Sequence, residues 1–153
     1  MQPPGKGAHM QNQAPGIVLI EDNPDDELLA RRALRRLGLD CEYRSFDNGP
    51  EALAWLQAEG AWAEAPPPLP RLILLDLKLP EMDGHEILRR LRRHPRTRHV
   101  PVVILSTSGE PTDIRASYEE GANSYLRKAI DFDEFARNFS LLGQYWMELN
   151  QTA

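Results

Sequence analysis

The sequence predicts an α/β fold, a doubly wound five-stranded parallel sheet made of five successive βα units, (βα)5. Three observations lead there. Unbroken aliphatic runs occur at Ile17-Val18-Leu19-Ile20, Leu72-Ile73-Leu74-Leu75 and Val102-Val103-Ile104-Leu105. Strands buried on both faces of a parallel sheet read this way, because helices cover each side. Strand-like runs begin near Ile17, Tyr43, Leu72, Val102 and Ser124, at intervals of 26, 29, 30 and 22 residues, each the length of one βα unit. Each strand is also followed by the punctuation of a helix.

Taken in order, residues 1–15 are rich in Pro, Gly and Gln without periodicity and read as a flexible arm. Residues 16–150 then form one domain. The first helix opens with Asn23 as its cap and Pro24 at its first position, turns Leu28, Leu29, Ala33, Leu34 and Leu37 inward, and stops at Gly38. The second starts at Pro50 and buries Leu53 and Leu56. The third runs from about Gly84 to His94 and ends before Pro95. The fourth spans about Thr112 to Glu120, and the last begins near Asp131. The connection from Glu59 to Pro70 is long for its position and carries Pro66-Pro67-Pro68, so it reads as a stiff surface extension.

Composition narrows the function classes. The chain has 153 residues, 41% hydrophobic and 27% charged, an ordinary globular mix with room for a single core. A net charge of -5 argues against nucleic acid as the main partner, and no output domain is expected after residue 150. No apolar stretch approaches the roughly 18–20 residues that a membrane span needs. The one cysteine, Cys41, has no internal disulfide partner, so a cytoplasmic protein is expected.

Polar residues end the strands. Asp76 closes the third aliphatic run, and the Pro80 and Gly84 beyond it turn the chain away. Glu21-Asp22 closes the first, Ser106-Thr107 the fourth, and Tyr125-Leu126-Arg127-Lys128 forms the fifth. In a parallel sheet these ends share the carboxyl edge, where open α/β sheets place their chemistry. Taken singly, Asp22 could simply precede a helix cap, Ser106 open a loop, and Lys128 lie in solvent. Taken together, three converging carboxylates need a cation among them, and hard oxygen ligands suit Mg²⁺.

The residues Glu21-Asp22-Asn23, the run Leu74 to Gly84 (Leu-Leu-Asp-Leu-Lys-Leu-Pro-Glu-Met-Asp-Gly), Ser106, and Tyr125 to Lys128 resemble the receiver domain of two-component response regulators over about residues 16–147. That resemblance implies the flavodoxin-like strand order 2-1-3-4-5. It implies Asp76 as phosphoacceptor for a histidine kinase, with Mg²⁺ held by Glu21, Asp22, Asp76 and the backbone carbonyl of Lys78. It implies that Lys128 and Ser106 contact the phosphoryl group and that Tyr125 changes rotamer with Ser106 as a switch. Enzymatic activity is then confined to self-catalysed phosphoryl uptake and autodephosphorylation. Receivers usually carry proline after the lysine, with a cis peptide; here Ala129 follows, and a cis bond before alanine costs about 2.5–4 kcal/mol.

The last helix places Phe132, Phe135, Phe139, Leu142, Trp146 and Leu149 on a heptad seam, with Leu141, Tyr145 and Met147 apolar beside it. So wide an apolar circumference predicts a homodimer through Leu141, Leu142, Tyr145, Trp146 and Leu149. The Tyr145-Trp146-Met147-Glu148 ending and the Pro-rich insert are similar to single-domain receivers that partner bacterial phytochrome kinases. Arg31, Arg32, Arg35 and Arg36, and Arg89 to Arg98, read as solvated helix faces or as a docking surface for the kinase. Two other classes remain in view. One is a hydrolase with an Asp nucleophile, although haloacid-dehalogenase-type phosphatases carry a second Asp where Lys78 stands. The other is a receiver-like scaffold that never takes phosphate.

Overall fold

The computed structural model describes residues 15–38 and 42–153; most of the expected arm and Cys41 lie outside this range. Five strands, β1 (Pro15–Ile20), β2 (Glu42–Phe46), β3 (Leu72–Leu75), β4 (Val102–Ser106) and β5 (Ser124–Arg127), pair in parallel in the order β2-β1-β3-β4-β5. Between and after them run α1 (Pro24–Arg36), α2 (Gly49–Leu56), α3 (Gly84–Arg93), α4 (Pro111–Glu119) and α5 (Phe132–Gln144). The expected fold class and strand order hold.

Alternation along the central strands splits the core in two. Val18, Ile20, Ile73, Leu75, Val102 and Ile104 face Leu53, Leu56, Ile87, Leu88 and Leu91 of α2 and α3. Ile17, Leu19, Leu72, Leu74, Val103 and Leu105 face Ala30 and Ala33 of α1 and Phe135 and Phe139 of α5. Each large side chain removed from water contributes roughly 1.5–3 kcal/mol. A sheet covered on both sides leaves its carboxyl edge as the open crevice.

Local signals set the helices. Asn23 Oδ1 accepts from the backbone N–H groups of Asp25 and Asp26 at 2.9 and 3.2 Å, and Pro24 fills the first helical position. Asp25, Asp26 and Glu27 in the first turn and Arg35 and Arg36 in the last complement the helix dipole. Gly38, at φ +64°, takes the left-handed conformation just past the end. Asp83 and Asp131 cap α3 and α5 in the same way as Asn23 caps α1. One inward assignment fails: Leu28 is exposed, and α1 buries Ala30 beside the expected Ala33. The small residues let α1 sit close against the sheet, which rotates Leu28 outward.

The Pro-rich connection runs over the surface and is fastened down. Arg96 donates from Nε to the Leu56 carbonyl at 3.0 Å and from its terminal nitrogen to the Pro67 carbonyl, while Leu69 packs on the core. A 3₁₀ turn, Gly60–Trp62, brings Trp62 to an arginine stack: Arg44 lies 5.2, 5.0 and 5.7 Å from the rings of Phe46, Trp55 and Trp62.

Of the α3 arginines only Arg92 works inward, while Arg89, Arg90 and Arg93 stay exposed. Arg92 donates to the carbonyls of Gly121 and Val100 and to Asn123 Oδ1, each at 2.8–2.9 Å, tying α3 to the loop before β5. Arg89 bridges Glu86 and Glu120 at 2.8 Å. Arg36 of α1 stacks 5.0 Å from the Phe132 ring of α5.

Beyond α5 the chain continues as one wide π turn, Tyr145–Leu149, closed by the Asn150 N–H on the Tyr145 carbonyl at 2.7 Å. A five-residue turn shifts the helical phase. Met147, expected beside the seam, is therefore buried, while Leu142 and Trp146 pack half-buried against their own domain. Leu141, Tyr145 and Leu149 stand exposed at 64, 49 and 69%. Among the described residues no helix is long and apolar enough to cross a membrane.

Candidate functional site

Asp76 is positioned by the ladder it terminates. Its N–H donates to the Ile20 carbonyl at 3.1 Å, one step beyond the last β1–β3 pair, and the Glu21 N–H bonds the Phe46 carbonyl at 2.9 Å. The two acids thus leave adjacent strands side by side and nearly buried, at 7 and 3% exposure, with Asp22 exposed beside them. Ligand oxygens of Glu21, Asp22 and Asp76 all lie within 4.8 Å of one another.

The chain after Asp76 doubles back closely. The Lys78 N–H points to Asp76 Oδ1 at 3.4 Å, its side chain being exposed, and the Gly84 N–H donates to the Leu77 carbonyl at 2.8 Å. A β-carbon at Gly84 would meet the Asp76 carbonyl oxygen at 2.3 Å, so α3 can begin there only with glycine. Glu81 absorbs the reversal with φ +66°.

Lys128 follows β5 and is held by its N–H on the Ser106 carbonyl at 2.8 Å. Its ammonium lies 2.6 Å from Glu21 Oε1, 2.9 Å from Asp26 Oδ2 and 3.7 Å from Asp76 Oδ2. Burial works against that charge, but the bonds to Glu21 and Asp26 and the charge of Asp76 outweigh it and raise the lysine's pKa. Glu21 is pushed up to about 7, first by burial and then by the charge of Asp76, despite its bond to Lys128. No cis peptide occurs among the described residues, so the Lys128–Ala129 bond is trans.

Ser106 is buried, and its Oγ accepts the Ser108 N–H at 3.1 Å. Ser108 in turn donates its hydroxyl to Asp113 Oδ2 at 2.6 Å, and its carbonyl accepts the Tyr125 hydroxyl at 2.8 Å. Ser106 and Tyr125 are therefore joined through one loop residue. Asp113 of α4 and Glu120 just past its end both face His85 of α3, at 3.8 and 2.5 Å.

Glu21, Asp22, Asp76 and Lys128 come together as expected, with Ser106 at the same edge. Asp26 is the member that reading along the chain missed. Its only signal was position: an acid in the first turn of α1, at the same sheet edge as Glu21. Glu21, Asp26 and Asp76 face one ammonium, with Asp22 beside them. Such a concentration of negative charge, two of its carboxylates nearly buried, fits a hard divalent cation with oxygen ligands. A nearly buried carboxylate beside that cation site and an ammonium is arranged to act on a phosphoryl group.

The family description "Response regulator receiver domain" matches residues 17–139. The chain is 38% identical over 136 residues to the probable methanogenesis regulatory protein FilR2 of Methanothrix harundinacea, covering 89% of this chain and 86% of that protein. It is 36% identical over 132 residues to the response regulator Rcp1 of Synechocystis, covering 86% and 88%. The Mn²⁺-bound structure of Rcp1 superposes with a TM-score of 0.82 at 34% identity, over 90% of this chain and 97% of that one. The phosphorylated cyanobacterial phytochrome response regulator RcpA superposes with a TM-score of 0.84 at 34% identity, over 91% and 98%.

Proposed function

The chain belongs to the response regulator receiver domain family, and from that premise we propose that it takes a phosphoryl group on Asp76 from a histidine kinase and signals through protein contacts. The observation that carries this is the setting of Asp76, nearly buried, grouped with two further carboxylates and 3.7 Å from an ammonium.

In the forward step an Asp76 carboxylate oxygen attacks phosphorus. The bond from phosphorus to the donor's imidazole nitrogen breaks, and the imidazole keeps the electron pair. An acyl phosphate results. Hydrolysis reverses it: a water oxygen bonds to phosphorus, the acyl oxygen–phosphorus bond breaks, and inorganic phosphate leaves with Asp76 restored. Glu21, Asp22, Asp76 and the Lys78 carbonyl would hold Mg²⁺, which neutralises charge on the transferring group. Lys128 supplies a point charge to one phosphoryl oxygen and Ser106 a hydroxyl to another. Ser106, drawn inward, releases Ser108, which Tyr125 and Asp113 both hold, so the α4–β5 face changes with the site.

The partner proposed is a bacterial phytochrome kinase, supported by the likeness to RcpA, and the setting is cytoplasmic. Residues 16–150 act as one domain after an N-terminal arm, and two copies associate through Leu141, Tyr145 and Leu149 with Leu142 and Trp146 beneath them. The scaffold reading leaves the gathering of Glu21 and Asp76, both nearly buried, with Asp22 and Asp26 near one lysine without a purpose. The hydrolase reading lacks a second Asp, since Lys78 occupies its place.

Incubation with Mg²⁺ and acetyl phosphate tests this. The native chain should form an acid-stable, base-labile adduct and Asp76→Asn none. An unlabelled native chain would point to a scaffold, and rapid turnover of phosphomonoesters to a hydrolase.

A further inference from the structure

Lys128 is shared with Asp26, which stands on α1 apart from the Glu21, Asp22 and Asp76 cluster, and that sharing has a consequence for the site's affinity. An ammonium has three donors. One is spent on Glu21 at 2.6 Å and one on Asp26 at 2.9 Å, while Asp76 waits at 3.7 Å, beyond hydrogen-bond reach. Glu21 leaves β1 next to Asp76, so that bond keeps the lysine at the site. Asp26 stands on α1 and draws it the other way. Asp26 is one-third exposed on its side chain and, among the described residues, its carboxylate accepts only from Lys128, so that bond is a competing electrostatic contact.

Packing around the lysine is incomplete on the side of Asp26. A cavity of about 20 Å³ adjoins it, lined by Glu21, Asp26, Lys128, Ala129 and Phe135 among others. Ala129 presents only a methyl group to that space. The ammonium is thus tethered by charge and hydrogen bonds rather than by packing on every side.

We propose that Asp26 is a positioning residue that holds Lys128 away from Asp76 in the resting domain, so that a phosphoryl group on Asp76 must compete with Asp26 for the lysine. Asp26 thereby lowers the occupancy of the phosphorylated state without touching the reacting atoms. The inference rests on Asp76 being the phosphoacceptor.

The test is titration calorimetry with beryllofluoride, a non-covalent mimic of the acyl phosphate, in the presence of Mg²⁺. Asp26→Asn removes the competing charge at constant shape and should bind beryllofluoride roughly two- to fivefold tighter, the size expected for a partly exposed ion pair. Asp26→Glu should restore the wild-type value. Asp25→Asn, on the same helical turn with no contact to Lys128, should change nothing, which separates sharing of the lysine from a general loss of negative charge. In a Lys128→Ala background the Asp26→Asn effect should vanish. Equal or weaker binding by Asp26→Asn overturns the inference, as does equal tightening in Asp25→Asn or in the lysine-free background. Wild-type protein that binds no more beryllofluoride than Asp76→Asn overturns the phosphoacceptor reading itself, and this inference with it.

Discussion

Gly84 stands so close to Asp76 that a β-carbon on it would lie 2.3 Å from the Asp76 carbonyl oxygen and 2.7 Å from Leu77 Cα. The contact is backbone against backbone, so no flexible side chain can yield. Nor can α3 drift away, because Ile87, Leu88 and Leu91 are fully buried in the core beyond. Gly84→Ala should therefore push the end of β3, cost about 1–3 kcal/mol as overpacking does, and misplace Asp76 relative to Glu21 and Asp22. Denaturant unfolding together with Mg²⁺ titration checks this. Native stability and native Mg²⁺ affinity in the variant would refute it.

Arg92 predicts a different kind of loss. It serves the carbonyls of Gly121 and Val100 and the Asn123 amide oxygen, and Gly121, at φ +107°, leaves room for its stem. Arg92→Met keeps the volume and strands the Gly121 and Val100 carbonyls, for a loss of about 2–3 kcal/mol, while Asn123 Oδ1 keeps the Val102 N–H. Arg92→Lys should recover only part, since an ammonium lacks the planar fork. Arg93→Ala, one residue on and largely exposed, should be near neutral in the same unfolding assay.

Arg92 and Arg96 mark where the sequence stops being legible. The strands could be read from Ile17, Leu72 and Val102 because burial on both faces demands consecutive aliphatics, and the helix starts from Asn23 and Asp131 because caps are local chemistry. The site was legible in outline because a parallel sheet gathers its strand ends at one edge. Asp26 was not, since its partner lies 102 residues away and the pairing depends on the angle at which α1 meets the sheet. Arg92 and Arg96 bond mainly to backbone carbonyls, which leave no residue signature. Met147 turned inward because a π turn, invisible to heptad counting, shifted the phase.

Proton linkage at Glu21 should appear in divalent-cation binding. Its pKa is about 7 in the folded, metal-free domain against 4.5 in the unfolded chain. Between those values the folded state holds the extra proton, so metal-free stability falls as pH rises through that window. A cation needs the ionised carboxylate, so its binding must release the proton. Mg²⁺ affinity should therefore weaken roughly tenfold from pH 8 to pH 6. Calorimetry in two buffers of different ionisation enthalpy would detect the released proton; a flat affinity across that range would exclude the linkage.

The apolar face at the carboxyl end yields the last expectation. Leu141, Tyr145 and Leu149 recur every four residues and are exposed, whereas Phe135, Phe139 and Met147 of the same segment are buried in their own domain. The helix has thus satisfied its intramolecular contacts and still presents three large apolar side chains to water, a cost that a second copy would relieve. Replacing Leu141 and Leu149 together with Asp should leave monomer unfolding, measured below the dissociation concentration, within about 0.5 kcal/mol, because neither side chain serves the core. It should also convert a dimer to a monomer in sedimentation at micromolar concentration. A native chain that already sediments as a monomer would remove the face from the list of self-contacts and leave it to another partner.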